Sequence, residues 1–568
     1  MTEKEKKKEF GIFYTSHILA SFMGGVVGKL LSRTKKEPLN CVDPAVGDGS
    51  LLAALDENLK CYEKRFFCGL DIRKDAIDNA KSVFEDISQP SFSFMKKDGL
   101  FPLSGKTSRE GWASFIKKHL KDGIHVFVSN PPWGTSLSSY GNAIYNFGAA
   151  KGQYDIYDLF LEVILDNLSD NGVYGIIVPD SIYNQEHVYI RKRLLKETTI
   201  HQIVRLGEGF FADAFISASI IVGIKSKVDV DNHKIYCSHL NHVDRKNVLD
   251  GKMPLEKAVK NSGHFIAQKK CIDANYMFLT DVYDADEDLI TRIESNQKIE
   301  DFAENFRGVE LSKKGVVCQC RYCKNWNPAP RGKNKSTKCK TCGKEIVLSD
   351  SRQDVIICEK DFLNAKKIIV GESIDRYALK KVLHIKTDFK GINYKNLSVY
   401  VSPKIVVRKT GVGITACIDR EGCLTNQVVY GIRVLPEWQK KIPLEYLLAV
   451  LNSRITTYYM IKRFGCAEWK SHPYITQDML NHVPVPYEKN QDFCRIVKKI
   501  VDAVKKIDVA DSSMVANDAK VECLLLKLFK LNADDCSRIF ESIENAQQLI
   551  PFKRLLNVKK DKVLSYGI

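Results

Sequence analysis

Asn130-Pro131-Pro132-Trp133 stands directly after an apolar, β-branched run, 125–128, that reads as a buried strand. Two prolines at a strand end fix an extended turn and remove backbone N–H donors, so nearby carbonyls are left to face a substrate. The exocyclic amine of a base such as adenine is a poor nucleophile, because its lone pair is delocalised into the ring. If the Asn130 side-chain oxygen and the Pro131 carbonyl each accept one of its hydrogens, the nitrogen is drawn toward tetrahedral geometry. Its lone pair is then aimed at an electrophilic methyl group, and positioning and charge placement supply the rate. No strong base is required, since the proton becomes acidic only as the methyl group arrives. Trp133 offers a flat face on which a base can stack, worth roughly 1–3 kcal/mol. That is comparable to the cost of rotating a base out of a duplex. The plainer reading of the same tetrapeptide is a rigid turn with a core tryptophan.

Upstream lies a second constellation. Cys41-Val42-Asp43-Pro44-Ala45-Val46-Gly47-Asp48-Gly49-Ser50 is a strand that runs into a Gly-x-Gly turn and then a helix. Such a turn lets backbone approach a ligand at the carboxyl edge of a parallel sheet, where these folds bind nucleotides. Asp71, in Gly69-Leu70-Asp71-Ile72, ends the next strand and is placed to accept from ribose hydroxyls. Asp98, in Lys97-Asp98-Gly99, follows the third strand and is placed to accept from an adenine amine. Each aspartate alone reads equally well as a turn or helix cap. Their order and spacing favour a nucleoside-binding edge.

A third group is Cys320-x-x-Cys323, fifteen residues, then Cys339-x-x-Cys342. Two such knuckles match a closed tetrahedral site for structural Zn²⁺, with no open position for catalysis. Cys318 is close enough to stand in for Cys320. Arg331, Lys333, Lys335, Lys338, Lys340 and Lys344 surround the knuckles, suited either to phosphate contacts or to simple solvation.

The elements that must position these groups follow from hydrophobic periodicity. Runs at 39–42, 66–70, 125–128 and 173–178 read as strands of a parallel sheet alternating with helices. Ile156, Leu159, Phe160, Val163, Ile164 and Leu168 recur at helical spacing, with Asp158, Glu162 and Asp166 expected to face away and Asn171-Gly172 to close the helix. Beyond about 230 the alternation blurs into a mixed domain, with strands expected at 404–408 and 428–434 and a helix at 444–462. From about 490 the pattern is helical, including 521–531 and 534–545. The fold class expected is α/β, as a catalytic domain over 1–235, a mixed α/β domain over 236–488 carrying a four-cysteine zinc ribbon at about 318–343, and a helical region over 489–568.

With 86 Lys+Arg against 69 Asp+Glu in 568 residues, the formal net charge is +17, which suits a polyanionic partner. The 17 cysteines are scattered, and the N-terminus MTEKEKKKEF is a charged tail rather than a signal peptide, so a reducing, cytoplasmic setting is expected. No apolar run approaches the length of a membrane span.

Together these motifs resemble the gamma class of DNA adenine-N6 methyltransferases of restriction-modification and related phage-defence systems. The resemblance rests on Phe13-Tyr14-Thr15, 43–49, Asp71-Ile72, Asp98, 130–133, the unit 154–183, and Gly207-Glu208-Gly209-Phe210-Phe211 before a strand at 216–223. Arg307-Gly308-Val309-Glu310 and Leu451-Asn452-Ser453 are similar to that family's target-recognition domain. The resemblance implies a Rossmann-like class I methyltransferase sheet that binds S-adenosyl-L-methionine. It implies that Thr15 contacts the methionine carboxylate, Asp43 its amino end, Asp71 the ribose and Asp98 the adenine amine. Ile72 and Phe160 would flank the adenine, and Ala45, Gly47, Gly99 and Asn130 would complete the cofactor site. Phe211 would meet a flipped base opposite Trp133, within one residue because Phe210 adjoins it. Double-stranded DNA is the implied partner, with a cognate restriction endonuclease or defence subunits as further ones. The same tetrapeptide also serves methyl transfer to RNA or to protein glutamine, and a non-catalytic specificity protein is a third reading. The cysteine ribbon and the strands around Lys404 and Arg408 are expected to supply duplex contacts.

Overall fold

The computed structural model describes residues 15–31, 38–85, 91–135, 137–211, 216–226, 229, 231–330, 336–411, 413–464, 475–507, 513–545 and 558–567. Phe13, Tyr14, Arg331, Lys333 and Lys335 lie outside the described residues. The chain divides into two compact units, 1–284 with 462–465, and 285–461 with 466–568.

The first unit is built on a nine-stranded sheet in the order β3-β2-β1-β4-β5-β7-β6-β8-β9. Its strands are β1 (Leu39–Asp43), β2 (Arg65–Asp71), β3 (Ser91–Lys96), β4 (Ile124–Ser129), β5 (Leu168–Pro179), β6 (Thr199–Gly207), β7 (Ala218–Ile224), β8 (Lys234–His239) and β9 (Gly263–Ala267). From β3 to β5 every pairing is parallel, whereas β7 runs antiparallel to β5 and β6. Such parallel strands must be covered on both faces, which is why β1 is buried along its whole length. The covering helices include α1 (His17–Leu31), α2 (Ser50–Glu57), α3 (Lys74–Glu85), α4 (Ser108–His119), α5 (Ile156–Asn167) and α6 (Val188–Glu197). Because β8 and β9 still pair into this sheet, the first unit reaches 284 rather than ending near 235.

Two local expectations are corrected here. Helix α5 ends at Asn167, and Asn171-Gly172 lies within the β5 element with Asn171 at φ 62°, so it does not close the helix. Asp158 and Glu162 do not face away. Both are buried, Asp158 against His187 at 2.7 Å and Glu162 beneath the backbone N–H groups of Gly148 and Ala149, each at 2.8 Å.

The second unit contains two four-stranded sheets. One orders the strands Ala303–Arg307, Val429–Val434, Lys404–Arg408 and Ala416–Asp419, and the other Ile357–Cys358, Leu383–Ile385, Lys366–Ile369 and Leu424–Thr425. The expected helix over 444–462 is two helices, Leu444–Asn452 and Arg454–Phe464, because Ser453 is extended and its Oγ accepts from Thr456 N at 3.0 Å. A local cap overrode a continuous apolar period. The C-terminal helices pack into this unit instead of forming a third. From helix Ser513–Leu528, buried Asp518 binds Arg376 at 2.7 Å and Arg454 at 3.2 Å, and buried Glu522 binds Arg454 at 3.0 Å. Among the described residues, no helix is long and apolar enough to cross a membrane.

Candidate active site and metal centre

In the order β3-β2-β1-β4, the chain leaves β1 toward one edge and returns to β4 on the other, so a crevice opens beyond the carboxyl ends of β1 and β4. A cleft of about 860 Å³ lies there. Its lining contains Thr15, Asp43, Ala45, Gly47, Asp71, Ile72, Asp98, Gly99, Asn130, Pro132 and Phe160, which are residues separated by up to 145 positions in sequence.

Each carboxylate is held by its strand end. Asp43 is 1% exposed, and its Oδ1 accepts from Ala45 N at 2.9 Å and Ser129 Oγ at 2.9 Å, which ties the end of β1 to the end of β4. Burial pushes its carboxyl up to about 7, against the opposing pull of those two hydrogen bonds. Asp71 accepts from Gly47 N at 3.2 Å and Arg73 N at 2.8 Å, and so braces the Gly-x-Gly turn, where Gly47 and Gly49 sit at φ 56° and 82°. Asp98 accepts from Leu100 N at 2.8 Å. Burial raises the carboxyls of Asp71 and Asp98 as well. Three desolvated acids at one edge favour a ligand that brings positive charge and hydrogen-bond donors. Ile72 is 46% exposed at this edge, an apolar side chain open to the cleft that Phe160 also lines.

At the end of β4, Asn130 Nδ2 donates to Thr15 Oγ1 at 3.1 Å. The amide nitrogen is thus turned to that hydroxyl, which fixes the plane of the Asn130 side chain at the cleft. The following turn is anchored on α5, where Gly134 N donates to both Asp155 carboxylate oxygens at 2.9 and 3.0 Å. Asp155 caps the same helix. Pro131 and Trp133 are buried, and Trp133 meets Phe211 edge to face, with centroids 5.0 Å apart and planes at 79°. Phe211, rather than its neighbour Phe210, is therefore the ring that pairs with Trp133. A base stacked between two parallel rings needs them about 7 Å apart, twice the ordinary stacking distance of about 3.5 Å. The two rings as placed fill that space themselves.

Sequence reasoning did not single out Ser129, Tyr140 or Asp155, and it placed Glu162 on the solvent face of its helix. Asp155-x-x-Asp158 ahead of an apolar run was legible as a capping box. Tyr140 carried no such signal.

In the second unit, the sulfur atoms of Cys320, Cys323, Cys339 and Cys342 all lie within 4.8 Å of one another, with Cys320–Cys342 at 3.7 Å and Cys323–Cys339 at 3.6 Å. Tetrahedral ligation at about 2.3 Å per Zn–S bond sets sulfurs about 3.8 Å apart. The donor set therefore fits Zn²⁺. Cys318, two residues before on strand Val316–Gln319, is not in the cluster. Buried Asn327 braces the second knuckle, donating to Cys339 Sγ at 3.5 Å and accepting from Lys340 N at 2.8 Å. Lys338, Lys340 and Lys344 are exposed here, although Lys340 pairs with Glu310. Lys404 cannot contact a duplex, because it is fully buried in an ion pair with Asp419.

Comparison with known proteins agrees with this architecture. The family described as N-6 DNA Methylase matches residues 1–297, and the TaqI-like C-terminal specificity domain matches 366–485. The chain is 36% identical over 216 residues to the methylase subunit of the Type I restriction enzyme EcoEI from Escherichia coli, a match covering 35% of this chain and 39% of that protein's length. Among solved structures, the Type IIL restriction-modification enzyme MmeI in complex with DNA superposes with a TM-score of 0.54 at 12% identity, over 97% of this chain and 80% of that one. The DrdV–DNA complex superposes at 0.51 and 14% identity, over 88% and 58%. At these identities the likeness is one of fold.

Proposed function

This chain belongs to the N-6 DNA methylase family and carries that family's catalytic fold with a TaqI-like specificity domain; from that premise we propose that it methylates N6 of an adenine turned out of double-stranded DNA. The observation that carries the reading is Asn130, set at the end of β4 beside the acid-lined cleft with its amide nitrogen tied to Thr15. S-adenosyl-L-methionine, when bound, supplies an electrophilic methyl sulfonium. Asp43, Asp71 and Asp98 hold its amino end, ribose and adenine amine, Thr15 its carboxylate, and Ile72 and Phe160 flank its adenine, with Ala45, Gly47 and Gly99 shaping the walls.

Asn130 Oδ1 and the Pro131 carbonyl accept the two hydrogens of the target amine and localise its lone pair. Pro132 keeps the turn rigid. Trp133 and Phe211 part to receive the base. The proton leaves to water after transfer, so no buried base is needed.

Catalysis belongs to the first unit, which runs to 284; the following stretch to 488 reads the target with the ribbon at about 318–343, and 489–568 brace that reader. Cys320, Cys323, Cys339 and Cys342 bind one structural Zn²⁺. The protein acts in the cytoplasm within a restriction-modification or phage-defence system, alongside a cognate endonuclease or defence subunits. The net charge of +17 supports a nucleic-acid partner. Incubation with methyl-labelled cofactor and, separately, duplex DNA, RNA and protein tests the reading, which requires label in duplex DNA and fails if it enters only RNA or protein.

A further inference from the structure

The turn that carries Asn130 is held at both of its ends. At the first, Asn130 Nδ2 donates to Thr15 Oγ1 at 3.1 Å; at the second, Gly134 N donates to both Asp155 oxygens at 2.9 and 3.0 Å. Between the two anchors Pro131 and Pro132 fix their φ angles, so the tetrapeptide is stiff and its far anchor sets where the Pro131 carbonyl and the Trp133 ring stand. Gly134 sits at φ 64°, a conformation that glycine adopts without steric cost. Asp155 is itself fixed from two sides. Its Oδ1 accepts from Ile156 N at 2.6 Å at the start of α5, and its own N donates to Asp158 Oδ2 at 2.9 Å, an oxygen that also meets His187 Nδ1 at 2.7 Å. Asp158 and His187 are both buried, and His187 stacks on Tyr157 with ring centroids 5.1 Å apart. The same helix takes the far end of segment 134–149, where the Glu162 carboxylate accepts from Gly148 N and Ala149 N.

We propose that Asp155 is a positioning residue for methyl transfer, which acts through Gly134 to set the place of the Pro131 carbonyl and Trp133 at the cleft. This rests on the reading of 130–133 as the turn that receives the target adenine. A helix cap needs one oxygen directed at the first N–H groups of its helix. Asp155 also turns both oxygens to Gly134 N, a backbone group outside the helix and 21 positions earlier in the chain. Hydrogen bonds to an ionised carboxylate are strong and directional. The helix that carries this carboxylate is buried over Ile156–Leu165, so it is a firm support for the turn. Asp155 does not line the cleft, whereas Asp43, Asp71 and Asp98 do, so removing its side chain releases the turn and leaves the acids in place. A displacement of about 1 Å at a reacting centre costs about 100-fold in rate.

The test measures kcat for label transfer from S-adenosyl-L-methionine to unmethylated genomic duplex DNA, and the affinity of the full chain for S-adenosylhomocysteine by calorimetry. Asp155→Gly and Asp155→Ala both remove the anchor, and glycine is the better tolerated of the two at a helix start. Both should lower kcat by about 10- to 100-fold and leave the S-adenosylhomocysteine dissociation constant within about threefold. Asp155→Asn keeps an oxygen for Gly134 N and should hold kcat within about threefold of wild type. Asn241→Ala removes a cap elsewhere in the same unit, where Asn241 Oδ1 accepts from Asp244 N at 2.9 Å at the start of helix His242–Leu249. It should lower the melting temperature and leave kcat unchanged. Wild-type kcat in Asp155→Gly or Asp155→Ala overturns the inference. So does a loss of kcat as large in Asp155→Asn or Asn241→Ala, or a loss of S-adenosylhomocysteine affinity that matches the loss of kcat. A wild type that leaves duplex DNA unlabelled overturns the methyltransferase reading instead.

Discussion

Replacing Gly99 with alanine tests how the cleft is shaped. A Cβ built on Gly99 would stand 1.9 Å from the Pro44 carbonyl oxygen and 2.8 Å from Phe160 Cε1. Ordinary contact begins near 3.4 Å, so Pro44 and residue 99 must part by about 1.5 Å, the difference between the two distances. Gly99 cannot easily be the side that moves, because its carbonyl accepts from the buried Trp112 Nε1 at 2.9 Å and the next carbonyl, of Leu100, accepts from Ser108 Oγ at 2.6 Å. The displacement falls instead on Pro44, between Asp43 and Ala45, and on Phe160. Overpacking by one methyl group costs about 1–3 kcal/mol. If that cost falls on the cofactor site, S-adenosylhomocysteine binds about 5- to 150-fold more weakly. Titration calorimetry reads the affinity, and a thermal melt confirms that the variant is folded. A dissociation constant within twofold of wild type, with an unchanged melt, would refute the argument that the Pro44–Gly99 approach forms the cleft wall.

Three further outcomes follow from the same geometry. Because burial raises Asp43 to about 7 from an ordinary 3.8, the folded chain holds a proton that the unfolded chain releases. The stability this contributes is present at acid pH and is lost as pH rises from about 4 through about 7. Cofactor affinity moves the opposite way over the upper part of that window, since the ammonium prefers the ionised carboxylate. Asp43→Asn should flatten both profiles in melts and titrations across pH, and unchanged profiles would deny Asp43 the role. Protein purified without added metal should contain about one equivalent of zinc by elemental analysis, lost in Cys339→Ser together with several kcal/mol of second-unit stability; folded, active, metal-free protein would remove the site. Exchanging 240–485 for the same segment of a relative should change which adenines are modified, and an active chimera that keeps the original target would place sequence choice elsewhere.

How much of this was legible in the sequence depended on whether a signal was local. β1, β2, β4 and β5 were readable because a doubly covered strand must be apolar throughout, and their ends carried Asp43, Asp71 and Asn130 to one edge as expected. The cysteine spacing likewise predicted a cluster that folding then assembles. Long-range partners left no trace. Nothing near Lys404 announces Asp419, so an exposed duplex contact was expected where a buried ion pair stands. Glu162 looked solvated because a helical wheel does not show segment 134–149 folding over it. Ser453 broke a helix whose apolar period ran through it, a choice between cap and continuation that periodicity alone does not decide.

The most direct measurement is the chemical identity of the product. Duplex DNA incubated with the protein and S-adenosyl-L-methionine is digested to nucleosides and analysed by mass spectrometry, for the wild type and for Asn130→Ala. The account predicts N6-methyldeoxyadenosine from the wild type and none from Asn130→Ala, while the variant still binds S-adenosylhomocysteine within a few fold of wild type. Methylcytosine in place of methyladenine, or undiminished N6-methyldeoxyadenosine from Asn130→Ala, would contradict it.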